Sequence, residues 1–451
     1  MATIQQYNKQ IMPTTRRHFL QAGAAAAAAA QARPSANDRI RIATIGIGGQ
    51  GTGDTHSSLS IQGVELVAVS DVYEGRLTRA KEVFGNQIFT TRDYREVLAR
   101  KDIDAVIIAT PDHWHAKISI DAMNAGKDVY CEKPIVQNIE DGLAVAEAAR
   151  KTGRVLQVGS QGVSSVVYQK AKELLKSGVI GQLNLVEAWM DRNSALGAWQ
   201  YSIPPDASTS TIDWDKFLGK STKRPFEPIR LFRWRNYRDY GTGVAGDLFV
   251  HLFSGMHFVT GSIGPRRVFA SGGLRFWKDG RDVPDVMMGL YDYPETNAHP
   301  AFNLALRVNF VNGAGETSGF RFVGSEGTLT IANGVTVARA PREMAPGFSI
   351  ATFPKNVQEK FMKEYHEKYP VQRASADGMR PDSVEKYLPP SGYSAQRDHH
   401  FNFIEAVRTR KPVVEDAVFG LRAAGPALLS NRSVLEKKSF SWDPQSMTVK
   451  G

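Results

Sequence analysis

The stretch Arg41–Asp71, RIATIGIGGQGTGDTHSSLSIQGVELVAVSD, constrains this chain more than any other. An apolar run, Ile42 to Ile45, passes directly into Gly46-Ile47-Gly48-Gly49-Gln50-Gly51, which fits G-x-G-x-x-G. A second apolar run, Val64 to Val69, ends at Ser70-Asp71, with Asp71 20 residues beyond Gly51. Strand, glycine turn, helix, strand and acid, in that order, are the parts of a dinucleotide-binding βαβ unit. Gly46 permits the tight turn out of the strand. Gly48 lets backbone amides approach a pyrophosphate, and Gly51 lets the following helix pack close to the sheet. That helix would aim its unpaired N–H groups at the phosphates. Asp71 would accept hydrogen bonds from a ribose diol and repel a 2′-phosphate, which favours NAD. Arg76 and Arg79 follow closely and keep NADP open.

From residue 38 to 161, strand-like runs alternate with amphipathic segments, as in a doubly wound parallel sheet. Ligands of such sheets bind beyond the carboxyl ends of the strands. The run Ala105–Ala109 ends in Thr110-Pro111-Asp112-His113-Trp114-His115, and Asp128–Cys131 ends in Glu132-Lys133-Pro134. Val155–Val158 leads to Gly159-Ser160-Gln161. Thr110, Pro111, His113, His115, Glu132, Lys133 and Gln161 therefore join Gly46, Gly48, Gly51 and Asp71 as expected cofactor-side residues.

Residues 162–451 have a different character. Leu183–Met190 reads as the first strand of a second domain, and strand-like runs recur from Arg267 to Ile331 with few helices between them. This predicts an α+β unit on a largely antiparallel open sheet. Residues 340–395 are rich in Pro, Lys and Ser and read as an irregular insertion that covers the domain or contacts another subunit. An Arg- and aromatic-rich loop, Phe232 to Tyr240, precedes a helix predicted over Leu248–Val259, with Asp247 at its N-cap.

Two motifs carry chemistry. Lys133, at a strand end, could polarise a substrate oxygen. Asp247 and His251 are four apart on a helix and share a face, so the carboxylate could orient the imidazole as a general base. His257, six residues further along, falls nearly opposite. No His/Cys cluster has zinc-ligand spacing, so no metal is expected.

The N-terminus reads as a removable address. Thr15-Arg16-Arg17-His18-Phe19-Leu20-Gln21 fits a twin-arginine signal, followed by an alanine run and Ala30-Gln31-Ala32 as a cleavage site, so residues 1–32 are set aside. Their loss lowers the formal charge of +10 by three, to +7. That suits anionic ligands, but no Lys/Arg block argues for nucleic acid. No apolar run reaches the roughly 18 residues that span a bilayer. The single cysteine, Cys131, excludes an internal disulfide, which agrees with folding in the cytoplasm before export.

Taken together, the glycine turn, Glu132-Lys133-Pro134 and Asp247-x-x-x-His251 resemble the Gfo/Idh/MocA oxidoreductases, over Arg39 to about Trp442. The resemblance implies a Rossmann domain with NAD or NADP and a second α/β domain whose open sheet often forms a dimer or tetramer interface. It also implies sugar or polyol substrates, with Lys133, Asp247 and His251 matching the catalytic residues. The loop 232–240 is outside that pattern, which makes Arg233, Arg235, Tyr237 and Tyr240 the candidates for substrate contact. The expected activity is oxidation of a carbohydrate or polyol C–OH in the periplasm. Its rivals are a glycoside-cleaving enzyme that oxidises transiently, and a non-catalytic sugar or nucleotide sensor. Exported NAD-dependent glycosidases also resemble the chain, but their tyrosine- and histidine-containing signature is absent. Replacing Arg16 and Arg17 with lysine should leave precursor in the cytoplasm, as followed by fractionation; unchanged periplasmic delivery would overturn the export reading.

Overall fold

The computed structural model describes residues 39–340, 347–370 and 383–450. The twin-arginine stretch and part of the 340–395 insertion lie outside these residues.

The first sheet is six-stranded and parallel, in the order β3-β2-β1-β4-β5-β6. Its strands are β1 (Ile40–Ile45), β2 (Val64–Ser70), β3 (Phe89–Thr91), β4 (Ala105–Ile108), β5 (Asp128–Cys131) and β6 (Leu156–Val158). The order reverses between β1 and β4, and a crevice opens at their carboxyl ends. Alternate side chains serve the two faces. Ala43, Val106, Ile108 and Val129 pack with Ile118, Ala122 and Val145 on one side. Ile42, Ala105, Ile107 and Tyr130 pack on the other with Phe403, Ile404 and Val407.

Those last three residues belong to the helix Ala395–Thr409, which lies far along in sequence. The boundary at 161–162 therefore needs a correction: the chain returns to the first sheet near its end. The reason is local. The helix after the glycine turn, Gly49–Leu59, buries only Gly51, Asp54, Thr55 and Ser58, so it cannot cover an apolar sheet face alone. The returning helix supplies the missing hydrocarbon.

The second sheet has ten strands, in the order β14-β13-β12-β11-β7-β10-β9-β8-β15-β16. They are β7 (Leu183–Asp191), β8 (Arg267–Gly273), β9 (Val286–Tyr293), β10 (Phe302–Asn309), β11 (Thr317–Gly324), β12 (Gly327–Ile331), β13 (Val335–Arg339), β14 (Val384–Tyr387), β15 (Phe440–Asp443) and β16 (Thr448–Lys450). β7 and β10 run parallel, while the other neighbours are antiparallel. The inner face packs against the helices Val250–Thr260 and Ala417–Glu436. The outer face leaves Phe269, Met288 and Leu290 exposed. Within the insertion, residues read as irregular form a helix, Lys355–Lys368, that buries no residue, and the edge strand β14.

A long segment of the second domain is bound onto the first. Tyr73 and Ile212 form a β-bridge, flanked by Glu74 N–H to Thr211 O (2.9 Å) and Asp213 N–H to Val72 O (2.9 Å). Tyr73, Ile212, Phe217, Phe232 and Tyr240 form a small core of their own beneath it.

A second joint lies at Glu415. It is fully buried, its backbone carbonyl accepts from Val158 N–H (2.9 Å), and its Oε1 accepts from Ser160 (3.2 Å) and Ser254 (3.0 Å). Burial pushes this carboxyl up to about 8, because only the neutral form is tolerated there. A raised folded-state value contributes stability that is full below the unfolded value and lost as pH rises through the folded one. Glu415→Gln, which keeps the acceptor and cannot ionise, should therefore gain on the native protein between about pH 5 and about pH 8, by up to about 1.4 kcal/mol per unit. Denaturation midpoints of both proteins across that window test this, and parallel curves would refute it.

Candidate active site

The glycine turn is shaped for close approach. Gly46 has φ +87°, and a Cβ there would lie 2.7 Å from the Ala109 and Thr110 backbone. A Cβ on Gly51 would lie 2.0 Å from Gly46 O, so the helix packs on the turn only as glycine. Gly49 has nothing within 4 Å of where its Cβ would sit, which leaves the first turn of the helix open. That turn carries no acidic residue and no side-chain cap. These features fit a pyrophosphate.

The turn borders a cavity of about 760 Å³, lined also by Asp71, Thr110, Pro111 and Trp114, and closed on the far side by Tyr201, Phe232, Trp234 and Arg235. Asp71 is held in place by Ile47 N–H (3.0 Å), Tyr73 N–H (3.0 Å) and Arg76 (3.4 Å). The Arg76 guanidinium also lies over the Phe232 ring.

The remaining cofactor-side expectations divide. His113 bonds the Phe217 carbonyl (2.8 Å) and the Tyr240 carbonyl (3.3 Å), so it anchors the overlying segment and does not line this cavity. Its neighbour Trp114 does line it. His115 is buried between the Pro134 carbonyl (2.7 Å) and the Thr110 carbonyl (2.9 Å), bracing both loops from behind. Two carbonyl acceptors on one ring favour the imidazolium. Burial alone would lower His115, but the Cys131 and Asp112 side chains and the Pro134 carbonyl raise it to about 10.

Glu132 and Gln161 are one layer further in. Gln161 donates to Glu132 at 2.6 Å, and Gln50, which lines the cavity, donates to Asp54 (2.9 Å) and Glu132 (3.4 Å). Burial pushes Glu132 up to about 8 and Asp54 up to about 7. Asp54 also meets Gln396 and His400 from the returning helix, both at 3.2 Å. Sequence reasoning missed Asp54 and His400, which meet across some 340 residues, and Gln50, which bonds Glu132 82 residues on. The x-x of the glycine pattern was the only hint of Gln50.

The chemical groups meet across the domain boundary. Lys133 Nζ, at the end of β5, donates to Asp247 Oδ1 at 2.7 Å and to the Asp247 carbonyl at 3.0 Å. Arg235 Nε reaches the same Oδ1 at 3.2 Å. Asp247 is buried, which would raise its carboxyl, but the charges of Lys133 and Arg235 hold it well below the ordinary range.

Two details differ from the sequence reading. Asp247 is not an N-cap: Ala245–Phe249 winds as a π-helix that runs into the helix Val250–Thr260. Such turns are frequent at functional sites. Gly246 is needed inside it, where a Cβ would lie 2.1 Å from the Thr242 hydroxyl. Nor does Asp247 hydrogen-bond His251, because two cations claim its carboxylate. The His251 ring is partly exposed and bonds no other described residue. Burial and the Lys133 charge, only partly offset by Asp247, lower it to about 3. His257 is buried and bonds Tyr293 OH at 2.9 Å, which fits a packing role.

Of the four residues expected to touch substrate, only Arg235 reaches both the cavity and Asp247. Arg233 bonds the Tyr201 carbonyl (2.8 Å) and the Gln200 side chain, and so fixes the loop. Tyr237 and Tyr240 are corrections: they are 5% and 0% exposed and serve the small core under the bridge. Their aromatic bodies were worth more as packing than as contacts. Among the described residues, no cluster of His, Cys, Asp or Glu could hold a metal ion.

Comparison with known proteins agrees with this geometry. Residues 40–160 match the Gfo/Idh/MocA profile, described as an oxidoreductase family with an NAD-binding Rossmann fold. Glycosyl hydrolase family 109 protein 1 of Shewanella sp. (strain MR-4) is 33% identical over 156 residues, 32% of this chain and 33% of that protein. Inositol 2-dehydrogenase of Salmonella paratyphi B is 36% identical over 124 residues, 27% of this chain and 37% of that protein. The chain thus aligns with about a third of the length of these curated relatives. Whole-fold likeness is broader. Levoglucosan dehydrogenase in complex with NADH has a TM-score of 0.64 at 17% identity, over 89% of this chain and 98% of that one. An NAD binding oxidoreductase from Klebsiella pneumoniae gives 0.62 at 18%, over 90% and 99%. With the glycine turn, Asp71 and the β1/β4 crevice in place, residues 40–160 form an NAD-binding Rossmann domain that matches the Gfo/Idh/MocA oxidoreductase family model.

Proposed function

We propose that this protein is an exported NAD-dependent oxidoreductase that oxidises a secondary alcohol of a sugar or polyol. The observation that carries this reading is Lys133 meeting Asp247 at 2.7 Å, beside His251, next to the cavity of the glycine turn. When bound, the oxidised nicotinamide supplies the acceptor for a hydride from the carbinol carbon. The protein's residues handle the proton and the charge. Lys133 donates a hydrogen bond to the alcohol oxygen and stabilises negative charge as the O–H bond breaks. His251, unprotonated at neutral pH, accepts that proton and passes it to solvent through its open side. Asp247 is a positioning group that keeps both cations in place. The sugar or polyol assignment rests on the likeness to inositol 2-dehydrogenase and levoglucosan dehydrogenase.

Export, read from Arg16-Arg17, would place the enzyme away from any free dinucleotide pool. A dinucleotide kept bound through many turnovers answers that difficulty, with the hydride returned to a second substrate or to the same molecule. The bridge at Tyr73–Ile212, which closes the segment over the cavity, supports such retention. A second reading has its own support in the likeness to a family 109 glycosyl hydrolase: transient oxidation, elimination and hydride return would cleave a glycoside with no net redox change. The exposed outer face of the second sheet, with Phe269, Met288 and Leu290, suits contact with a second copy.

A panel of sugars, polyols and glycosides, followed by reduced-cofactor absorbance and product analysis, separates a ketosugar from a free sugar. His251→Ala should lower turnover by roughly 10²–10⁴-fold with dinucleotide affinity nearly unchanged. Because His251 is lowered to about 3, the native acid limb should lie well below the ordinary imidazole value of about 6.5. A limb centred there, or near-normal turnover of the variant, would remove His251 from the reaction. Mature protein should also release close to one dinucleotide per chain on denaturation; a preparation with almost none, active only on added cofactor, would refute retention.

A further inference from the structure

Two cations share the buried Asp247 carboxylate, and the charge of a third reaches it. Lys133 and Arg235 both bond Asp247. Arg192, immediately after β7, acts electrostatically on both Asp247 and His251. It has no ion-pair partner among the described residues. Its guanidinium donates to the Gly197 carbonyl at 2.8 Å and lies 5.5 Å over the Phe310 ring. Arg235 commits Nε to Asp247, and its other donors have no hydrogen-bond partner among the described residues.

Neighbouring acids do not restore the balance. Asp191 is paired with Arg307 at 2.7 Å, and Asp279 with Arg281 at 2.8 Å. Asp112 accepts from the Thr242 N–H and hydroxyl, and burial pushes its carboxyl up towards the neutral form. Glu316 is exposed and accepts from Ser194 at 2.6 Å and Asn193 at 3.3 Å; these bonds and the Arg192 charge lower its carboxyl, but no ion pair joins it to Arg192.

The loop carrying Arg192 is held firmly. Trp199 is 1% exposed and sits in the left-handed region at φ 63°, rare for so large a residue. It packs edge-on to Phe310 at 4.8 Å, and the Ala198 carbonyl accepts from Arg281 at 2.8 Å. Backbone strain of this kind persists only where the surroundings enforce it. A fixed, partly buried guanidinium with no direct ion-pair partner is costly on its own and is satisfied by an anionic ligand.

We propose that the alcohol oxidised here belongs to an anionic sugar, a sugar acid or sugar phosphate. Its charged group binds between Arg192 and Arg235 while the reacting hydroxyl faces His251 and Lys133. This rests on the dehydrogenase reading and narrows its substrate class.

Matched pairs provide the test: D-glucose with D-glucuronate, D-galactose with D-galacturonate, and D-glucose with D-glucose 6-phosphate. The anionic member of at least one pair should be preferred in kcat/KM by about 10–100-fold, the range of a charge-assisted hydrogen bond. The preference should shrink as salt rises. Which pair shows it separates carboxylate from phosphate. Arg192→Gln should bring the ratio close to one, and Arg192→Lys should restore part of it. A ratio near or below one in every pair, or a native ratio retained in Arg192→Gln, overturns the proposal. If the glutamine variant does not fold, the salt dependence and the lysine variant decide. If no sugar is oxidised, calorimetric titration of the NADH-loaded enzyme with D-glucuronate and D-glucose 6-phosphate decides. Arg192-dependent binding would then uphold the anionic site while defeating the dehydrogenase reading, and absence of binding would defeat the anionic site.

Discussion

The Lys133–Asp247 ion pair is the contact on which the rest of the site depends. Its members come from different domains, and their side chains are 9% and 7% exposed. Removing one partner of such a pair leaves an uncompensated charge and typically costs about 3–5 kcal/mol. The pair therefore fixes where the carboxyl end of β5 meets the π-turn, and so where Lys133 and His251 stand relative to the glycine turn. Asp247 serves geometry first. Its carboxylate holds two cations, and the imidazole beside it stays neutral because burial and the Lys133 charge outweigh the single acid.

Much of this was legible in the sequence because its signals are local. Gly46, Gly51 and Asp71 sit at fixed spacings set by a strand, a turn and a helix, and the structure gives each a steric or hydrogen-bonding reason. Lys133 could be placed because strand ends converge in a parallel sheet. What could not be read depends on distant partners. The helix Gly49–Leu59 is too polar to cover the sheet, but nothing in it names the residues near 400 that do. The pairing of Asp247 with Arg235 and not with His251 depends on a π-turn, which leaves no periodicity to detect. Tyr237 and Tyr240 looked like ligand contacts because aromatic residues beside arginines suit both recognition and packing, and only burial separates the two.

Buried ionisable groups are arranged in two tiers. Around the reacting centre, cations keep Asp247 ionised, while burial and the Lys133 charge keep His251 neutral. Behind it lie acids with raised values in low-dielectric surroundings: Glu132 and Asp54, joined through Gln50, and Glu415, held by two serine hydroxyls. The inner tier is held by hydrogen bonds and protons, and the outer by full charges. An excess positive field at the outer tier is the setting in which developing alkoxide charge and an anionic substrate are both stabilised.

The return of the helix Ala395–Thr409 to the first sheet has a consequence for biosynthesis. Domains usually fold as they leave the ribosome, amino end first. Here Ile42, Ala105, Ile107 and Tyr130 stay uncovered until Phe403, Ile404 and Val407 have been translated. The nascent Rossmann sheet thus waits, with one apolar face open, until residues far beyond β6 (Leu156–Val158) have been read. Chaperone occupancy during elongation would be expected on that face.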